Sequence, residues 1–196
     1  MSRTTSPQER DLLLQGLQRR IPQARLQSYA VAGAQIELLQ DDFPRAPLDP
    51  QVAAACWEHP PYWAFVWPGG GFLSHWLPPL KPQGKVVDLG CGSGLLSIVL
   101  AQAGCQVWAV DSDPEARLAC KVNASRNGVA FPICASLDEV GECDLLVLAD
   151  FLYDPANLSG IQSLCVRGKS VLLADCRLQV APPGFVALPG DRKSVV

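Results

Sequence analysis

Two clusters of residues and one isolated acid could do chemistry. The stretch "VDLGCGSG" (87–94) sets glycines at 90, 92 and 94 directly after an apolar run. Glycine permits a tight turn whose bare backbone a ligand can approach. Asp88 leads into the turn, and Asp111 stands 21 positions beyond Gly90. That matches the ~20-residue spacing at which an acid meets ribose hydroxyls in nucleotide-binding sheets. A dinucleotide fingerprint needs its third glycine at 95, where Leu95 stands, and no Gly-Lys-Ser/Thr follows as in a P-loop. The glycines read GxGxG, which suits a compact nucleoside cofactor. The second cluster, "PPYWAFVWPGGGFLSHWL" (60–77), carries Tyr62, Trp63, Phe65 and Trp67 ahead of Pro68 and three glycines. Such aromatics serve either as core or as a wall for a flat ligand. The isolated acid is Asp150, which ends the apolar run "CDLLVLAD" (143–150).

These residues need elements to position them. "KVVDLG" (85–90), "QVWAVD" (106–111), "FPIC" (131–134), "CDLLVLAD" (143–150) and "KSVLLAD" (169–175) read as strands. Between them, helices are expected over 95–104, 113–128 and 154–166, with Asp113 and Asp154 as N-caps ahead of Pro114 and Pro155. Strands alternating with helices predict a doubly wound, mostly parallel α/β sheet, with ligands at the carboxyl ends of its strands. Upstream, a helix over 6–20 places Leu12, Leu13 and Leu17 on one side, two short strands flank Ala32-Gly33, and 50–59 is helical after a Pro-rich connector at 41–50. Residues 1–60 thus form an N-terminal helical and β-hairpin extension, and 61–196 the core.

Composition narrows the function classes. The chain has 196 residues, 48% hydrophobic and 18% charged, with net charge −3 and no run of like charges. That suits a packed globular chain and argues against nucleic acid, which asks for a clustered basic footprint. No apolar stretch is long enough to span a bilayer. The eight cysteines lie nine or more positions apart with no CxxC, and there are two histidines, so no metal site is expected. Most of these cysteines sit in apolar runs and read as small buried hydrophobes. Glu9 and Asp11 interrupt the arginines of the N-terminal segment, unlike a transit peptide. A cytoplasmic location is expected.

"VVDLGCGSGLLSI" with "VDSDPEA" resembles the class I (seven-strand) S-adenosylmethionine-dependent methyltransferases. "PYWAFVWPGG" is similar to a segment upstream of the glycine turn in the electron-transfer-flavoprotein β-subunit lysine methyltransferases and their bacterial relatives. "LADFLYD" (148–154) resembles the DxxY signature of that group, giving Asp150 and Tyr153. In DNA-adenine and glutamine methyltransferases two prolines follow the acid or amide. Here Phe151 and Leu152 replace them, which counts against planar nitrogens. The likeness covers roughly residues 25–175.

The resemblance implies S-adenosylmethionine as cofactor. It assigns Asp88, Gly90, Cys91, Gly92 and Gly94 to the methionine end and Asp111 with Ser112 to the ribose. Trp67 becomes a wall of the pocket, and an adenine contact is expected near Ser136–Asp138. Asp150, also at the cofactor, and Tyr153 become the catalytic pair: Asp150 orients a lysine amine and Tyr153 desolvates it. The expected substrate is a lysine of a protein such as the electron-transfer-flavoprotein β-subunit. Two alternatives stay open: methylation of a small-molecule nitrogen or oxygen, and a non-catalytic cofactor-binding interaction protein. Relatives continue after the fifth strand through a helix and a long hairpin, whereas a shortened hairpin over 185–196 is expected here.

Overall fold

The computed structural model describes residues 7–40, 49–153, 155–178 and 180–188. Five strands form a wholly parallel sheet: β3 (Lys85–Leu89), β4 (Gln106–Val110), β5 (Ile133–Cys134), β6 (Cys143–Ala149) and β7 (Gly168–Ala174). Their spatial order is β5-β4-β3-β6-β7. The chain therefore lays strands outward from β3 to one side, then returns to lay β6 and β7 on the other. That reversal, between β3 and β6, is the switch point at which open α/β sheets bind ligands. The doubly wound fold expected from the sequence is the observed one.

β3 runs Val86-Val87-Asp88 fully buried, as a central strand covered on both faces must. Between strands run α4 (Leu95–Gln102), α5 (Pro114–Arg126) and α6 (Pro155–Cys165). The α5 start follows its sequence signal: Asp113 accepts from the Glu115 N–H at 2.8 Å, and Pro114 takes the first helical position. The proposed cap at Asp154 lies outside the described residues, as do residues 189–196 of the expected hairpin. Described residues from 176 to 188 hold no strand.

The upstream segment packs onto this sheet. α1 (Pro7–Gln18) buries Leu13 and Leu17, but Leu12 points outward and is half exposed, so the apolar stripe is narrower than the leucine spacing implied. β1 (Leu26–Val31) and β2 (Ala34–Leu39) pair through Ala32 (φ 50°) and Gly33 (φ 85°), the left-handed pair of a tight hairpin turn. The inward residues of β2, Ala34, Ile36 and Leu38, join the main core with Leu96, Val99 and Val86.

One buried amide ties hairpin, helix and glycine turn together. Asn123 of α5 is fully buried; its Oδ1 accepts from the Glu37 N–H at 2.8 Å, and its Nδ2 donates to the Ser93 carbonyl at 2.9 Å. Glu37 is itself buried and paired with Arg10 and Arg126, at 3.0 and 3.1 Å. α2 (Pro50–Glu58) is capped by Asp49, and α3 (Pro68–Trp76) begins on the Pro-Gly-Gly-Gly stretch. Of the eight cysteines, all free, only Cys91, Cys120 and Cys143 are fully buried and Cys176 is exposed, so the expectation of buried thiols holds for a minority. Among the described residues, no helix is long and apolar enough to cross a membrane.

Candidate functional site

The carboxyl ends of β3, β4 and β6 open into a cavity of about 470 Å3, within the range of small-molecule sites. Asp88, Gly90, Cys91 and Gly92 line it from the turn after β3, and Asp111 and Ser112 from the end of β4. Asp150 and Tyr153 line it from the turn after β6, and Trp67 from the segment before α3. The residues singled out in the sequence thus converge, with one exception. Gly94 is not in the lining. Its φ is +82°, and a Cβ there would come within 3.0 Å of the Cys120 Cα, so it lets α5 lie against the turn.

Asp88 is buried beneath the turn and accepts from the Ser97 Oγ at 2.6 Å. Burial pushes its carboxyl up to about 6, although the Ser97 hydroxyl opposes this and the nearby Asp111 adds to it. Desolvation outweighs the single strong hydrogen bond because it acts on the whole charge. Asp111 spans two backbones. Its Oδ2 accepts from the Gly92 N–H at 3.0 Å and its Oδ1 from the Asp113 N–H at 2.9 Å. Burial raises its carboxyl, with those N–H groups opposing. Each oxygen keeps a lone pair for a hydroxyl in the cavity. The Cys91 thiol is pushed well up by its hydrogen bond with Cys120 and by burial, so it offers packing and no thiolate nucleophile.

Asp150 sits in a left-handed conformation, φ 51°, a strain of about 1–3 kcal/mol for a non-glycine residue. Its N–H donates to the Ala174 carbonyl at 2.8 Å, and its Oδ2 accepts from the Gly70 N–H at 2.8 Å. The first turn of α3 can approach this closely because Gly69 has no side chain. A Cβ there would fall on the Ala174 carbonyl oxygen and within 2.8 Å of the Asp150 Oδ2. The other oxygen, Oδ1, is buried without a hydrogen-bond partner among the described residues. Burial raises the Asp150 carboxyl, and the Gly70 and Gly69 amides pull it back.

Aromatic rings complete the lining. Tyr62 packs against Tyr153 with centroids 4.6 Å apart and edge-on to Trp67 at 5.8 Å. The Trp67 Nε1 donates to the Tyr62 carbonyl at 2.8 Å, which fixes the indole. Trp63 behaves differently: it is 1% exposed and donates from Nε1 to Glu115 at 3.3 Å. It is chiefly a core residue, whereas Tyr62 and Phe65 stay partly exposed along the cavity.

Sequence reasoning missed Ser97 and Asn157. Ser97 is one of many serines, and its partner is visible only once α4 places it over Asp88. Asn157 lines the cavity and donates from Nδ2 to the Phe151 carbonyl at 2.7 Å, steadying the turn that carries Tyr153. In the region where an adenine contact was expected, Ala135, Ser136 and Leu137 line the cavity, while Asp138 pairs with Arg167 at 2.9 Å.

Known proteins supply an independent comparison. Residues 74–156 match the family model described as ribosomal protein L11 methyltransferase (PrmA). An electron transfer flavoprotein beta subunit lysine methyltransferase of Danio rerio is 38% identical over 134 residues, covering 61% of this chain and 52% of that protein. A ribosomal protein L11 methyltransferase of Aliivibrio fischeri is 37% identical over 142 residues, covering 69% of this chain and 46% of that protein. A solved ribosomal protein L11 methylase of Lactobacillus delbrueckii subsp. bulgaricus aligns at 30% identity with a TM-score of 0.39, over 48% of this chain and 55% of that one. The chain spans about half the length of the curated relatives it matches. The resemblance drawn from the glycine turn and its flanking segments therefore holds by alignment: the chain is similar to methyltransferases named for ribosomal protein L11 and for the electron transfer flavoprotein beta subunit.

Proposed function

We propose that the chain is an S-adenosylmethionine-dependent N-methyltransferase that modifies a lysine of a protein, with the electron transfer flavoprotein β-subunit as first candidate. The observation that carries this reading is the hydrogen bond from Gly70 to Asp150. It joins the two segments that most resemble the lysine methyltransferases and sets them across one cavity from Asp88 and Asp111.

The residues present fit the cofactor. Its ribose diol asks for a carboxylate with free lone pairs, which Asp111 offers. Its ammonium and sulfonium cations suit the partly desolvated carboxylates Asp88 and Asp150. Gly90, Cys91 and Gly92 would bring backbone to the methionine end, Ser112 would flank the ribose, and the Trp67 face would wall the pocket. When bound, the cofactor supplies an electrophilic methyl on sulfur for in-line displacement by nitrogen.

The protein's own task is alignment and electrostatics. A lysine amine has an ordinary value of about 10.4 and is mostly protonated near neutrality, so it must shed a proton before it attacks. Asp150, fixed through Oδ2 and lining the cavity, offers its carboxylate to accept a hydrogen bond from the amine and orient its lone pair. Tyr62 and Tyr153 flank that approach and exclude water. Eight unpaired thiols support a reducing compartment, the cytoplasm.

The test is transfer of labelled methyl from S-adenosylmethionine into a panel of proteins that includes the electron transfer flavoprotein β-subunit, with the modified residue located by mass spectrometry. Label on lysine is expected. Label only on small amines or hydroxyls, or tight cofactor binding with no transfer at all, would overturn it in favour of a small-molecule enzyme or a non-catalytic binding protein.

A further inference from the structure

Asp175 and Arg177 follow β7 and have no part in the site as described so far. The Asp175 side chain is fully buried. Its Oδ2 accepts from the Leu152 N–H at 2.8 Å, and its Oδ1 accepts from the Arg177 N–H at 3.0 Å and from Arg177 Nη1 at 2.9 Å. That carboxylate accepts three hydrogen bonds, and it clamps the guanidinium to the turn bearing Asp150 and Tyr153. Held there, Arg177 Nη1 lies 4.0 Å from the Asp150 Oδ1. The separation is too long for a hydrogen bond, yet within reach of a Coulomb interaction that lowers the Asp150 carboxyl, the smallest of the influences on it. Arg177 also lines the cavity, where it is the one Lys or Arg among the described lining residues. The outcome is an acceptor oxygen that is buried, has no donor among the described residues, and faces a cation that does not bond to it.

This arrangement bears on the protonation state of whatever amine meets the Asp150 carboxylate in the cavity. Two carboxylates alone, Asp150 and Asp175, would favour an ammonium and suppress the neutral amine that attacks. A fixed cation beside them works in the opposite sense. We propose that Arg177 is a positioning residue that lowers the preference of the Asp150 oxygen for an ammonium and so raises the fraction of acceptor amine that is neutral and ready to attack. The inference rests on the amine-methylation reading above.

Other groups around that oxygen are fixed or more remote. α3 turns the amides of Gly69 and Gly70 on the same carboxylate, Gly70 on its Oδ2, and its His75 holds Nδ1 3.0 Å from the Gly71 carbonyl. Tyr153 comes from the turn after β6, and Cys176 adjoins Arg177. Asp88, Cys91 and Asp111 line the cavity from the turns after β3 and β4.

The experiment measures single-turnover methyl transfer to the electron transfer flavoprotein β-subunit against pH, at saturating cofactor. It compares the wild type with Arg177→Gln, Arg177→Lys and Asp175→Asn, and follows thermal stability and cofactor affinity alongside. Arg177→Gln should move the acidic limb upward by about one pH unit, costing roughly tenfold in rate near neutrality, with KM unchanged or lower. Arg177→Lys should restore the limb, and Asp175→Asn should move it downward. A limb unmoved in Arg177→Gln, or moved the same way by both charge removals, would overturn the proposal while leaving methyl transfer intact. A wild type that labels no protein amine would remove the underlying reading, and this proposal with it.

Discussion

The N–H of Gly70 donates to the Oδ2 of Asp150 at 2.8 Å, across 80 positions of sequence. Through that bond the first turn of α3 braces a residue whose backbone is strained, and the neighbouring glycine makes the approach possible. Gly69→Ala should therefore damage the site more than the loss of helical glycine entropy would suggest. A methyl group would have to displace either the Ala174 carbonyl or the Asp150 carboxylate. The expected outcome is a stability loss of about 1–3 kcal/mol by denaturant unfolding together with a large loss of methyl transfer. Full activity in this variant would contradict the bracing role.

Asp88 should trade stability for binding. Its folded value of about 6 lies above the ordinary carboxylate range. A group raised on folding contributes stability that is fully present below its unfolded value and is lost as pH rises through its folded value. Asp88→Asn, neutral at every pH, should thus be more stable than wild type near neutrality by about 1–3 kcal/mol without cofactor. That advantage should shrink between pH of about 6 and about 4. Cofactor affinity should fall at the same time. Thermal unfolding across pH and calorimetric binding check both halves.

Asp111→Ala removes an acceptor shared by Gly92 and Asp113. Loss of the proposed ribose contact and loosening of the glycine turn should weaken cofactor binding by at least about tenfold, from charge-assisted hydrogen bonds worth about 1.5–3 kcal/mol. Equal cofactor affinity in wild type and variant would remove Asp111 from the binding site.

Asn123→Ala would leave the Glu37 N–H and the Ser93 carbonyl without their buried partner. A cost of about 2–4 kcal/mol follows from one cavity and two unmet polar groups. The glycine turn should also lose amide-exchange protection, because Ser93 belongs to it. Exchange unchanged at residues 90–94 would show that the amide serves the hairpin alone.

The parts of this protein that sequence made legible are those governed by local rules. The GxGxG turn, the Asp-Pro helix start at 113–114 and the Ala32-Gly33 hairpin each follow from backbone conformations that few residues tolerate. The convergence of Asp88, Asp111 and Asp150 followed from topology, since all three end parallel strands near one switch point. What stayed hidden depends on long-range placement. Ser97 acquires its role only when α4 sets it over Asp88; an ion pair of Asp175 with Arg177 was open from their spacing, but the reach of Arg177 toward Asp150 was not. Gly94 looked like a ligand contact because it shares a motif with Gly90 and Gly92, yet its neighbour is Cys120. Leu12 shares the spacing of Leu13 and Leu17 but falls on the far edge of α1, which no core residue reaches.

The most direct test of the central claim is a side-by-side measurement of wild type and Asp150→Ala: labelled methyl transfer into the electron transfer flavoprotein β-subunit, with S-adenosylmethionine affinity determined on both. The account predicts that the variant still binds cofactor within about tenfold of wild type yet transfers methyl at least about 100-fold more slowly. Transfer by Asp150→Ala at the wild-type rate would contradict it.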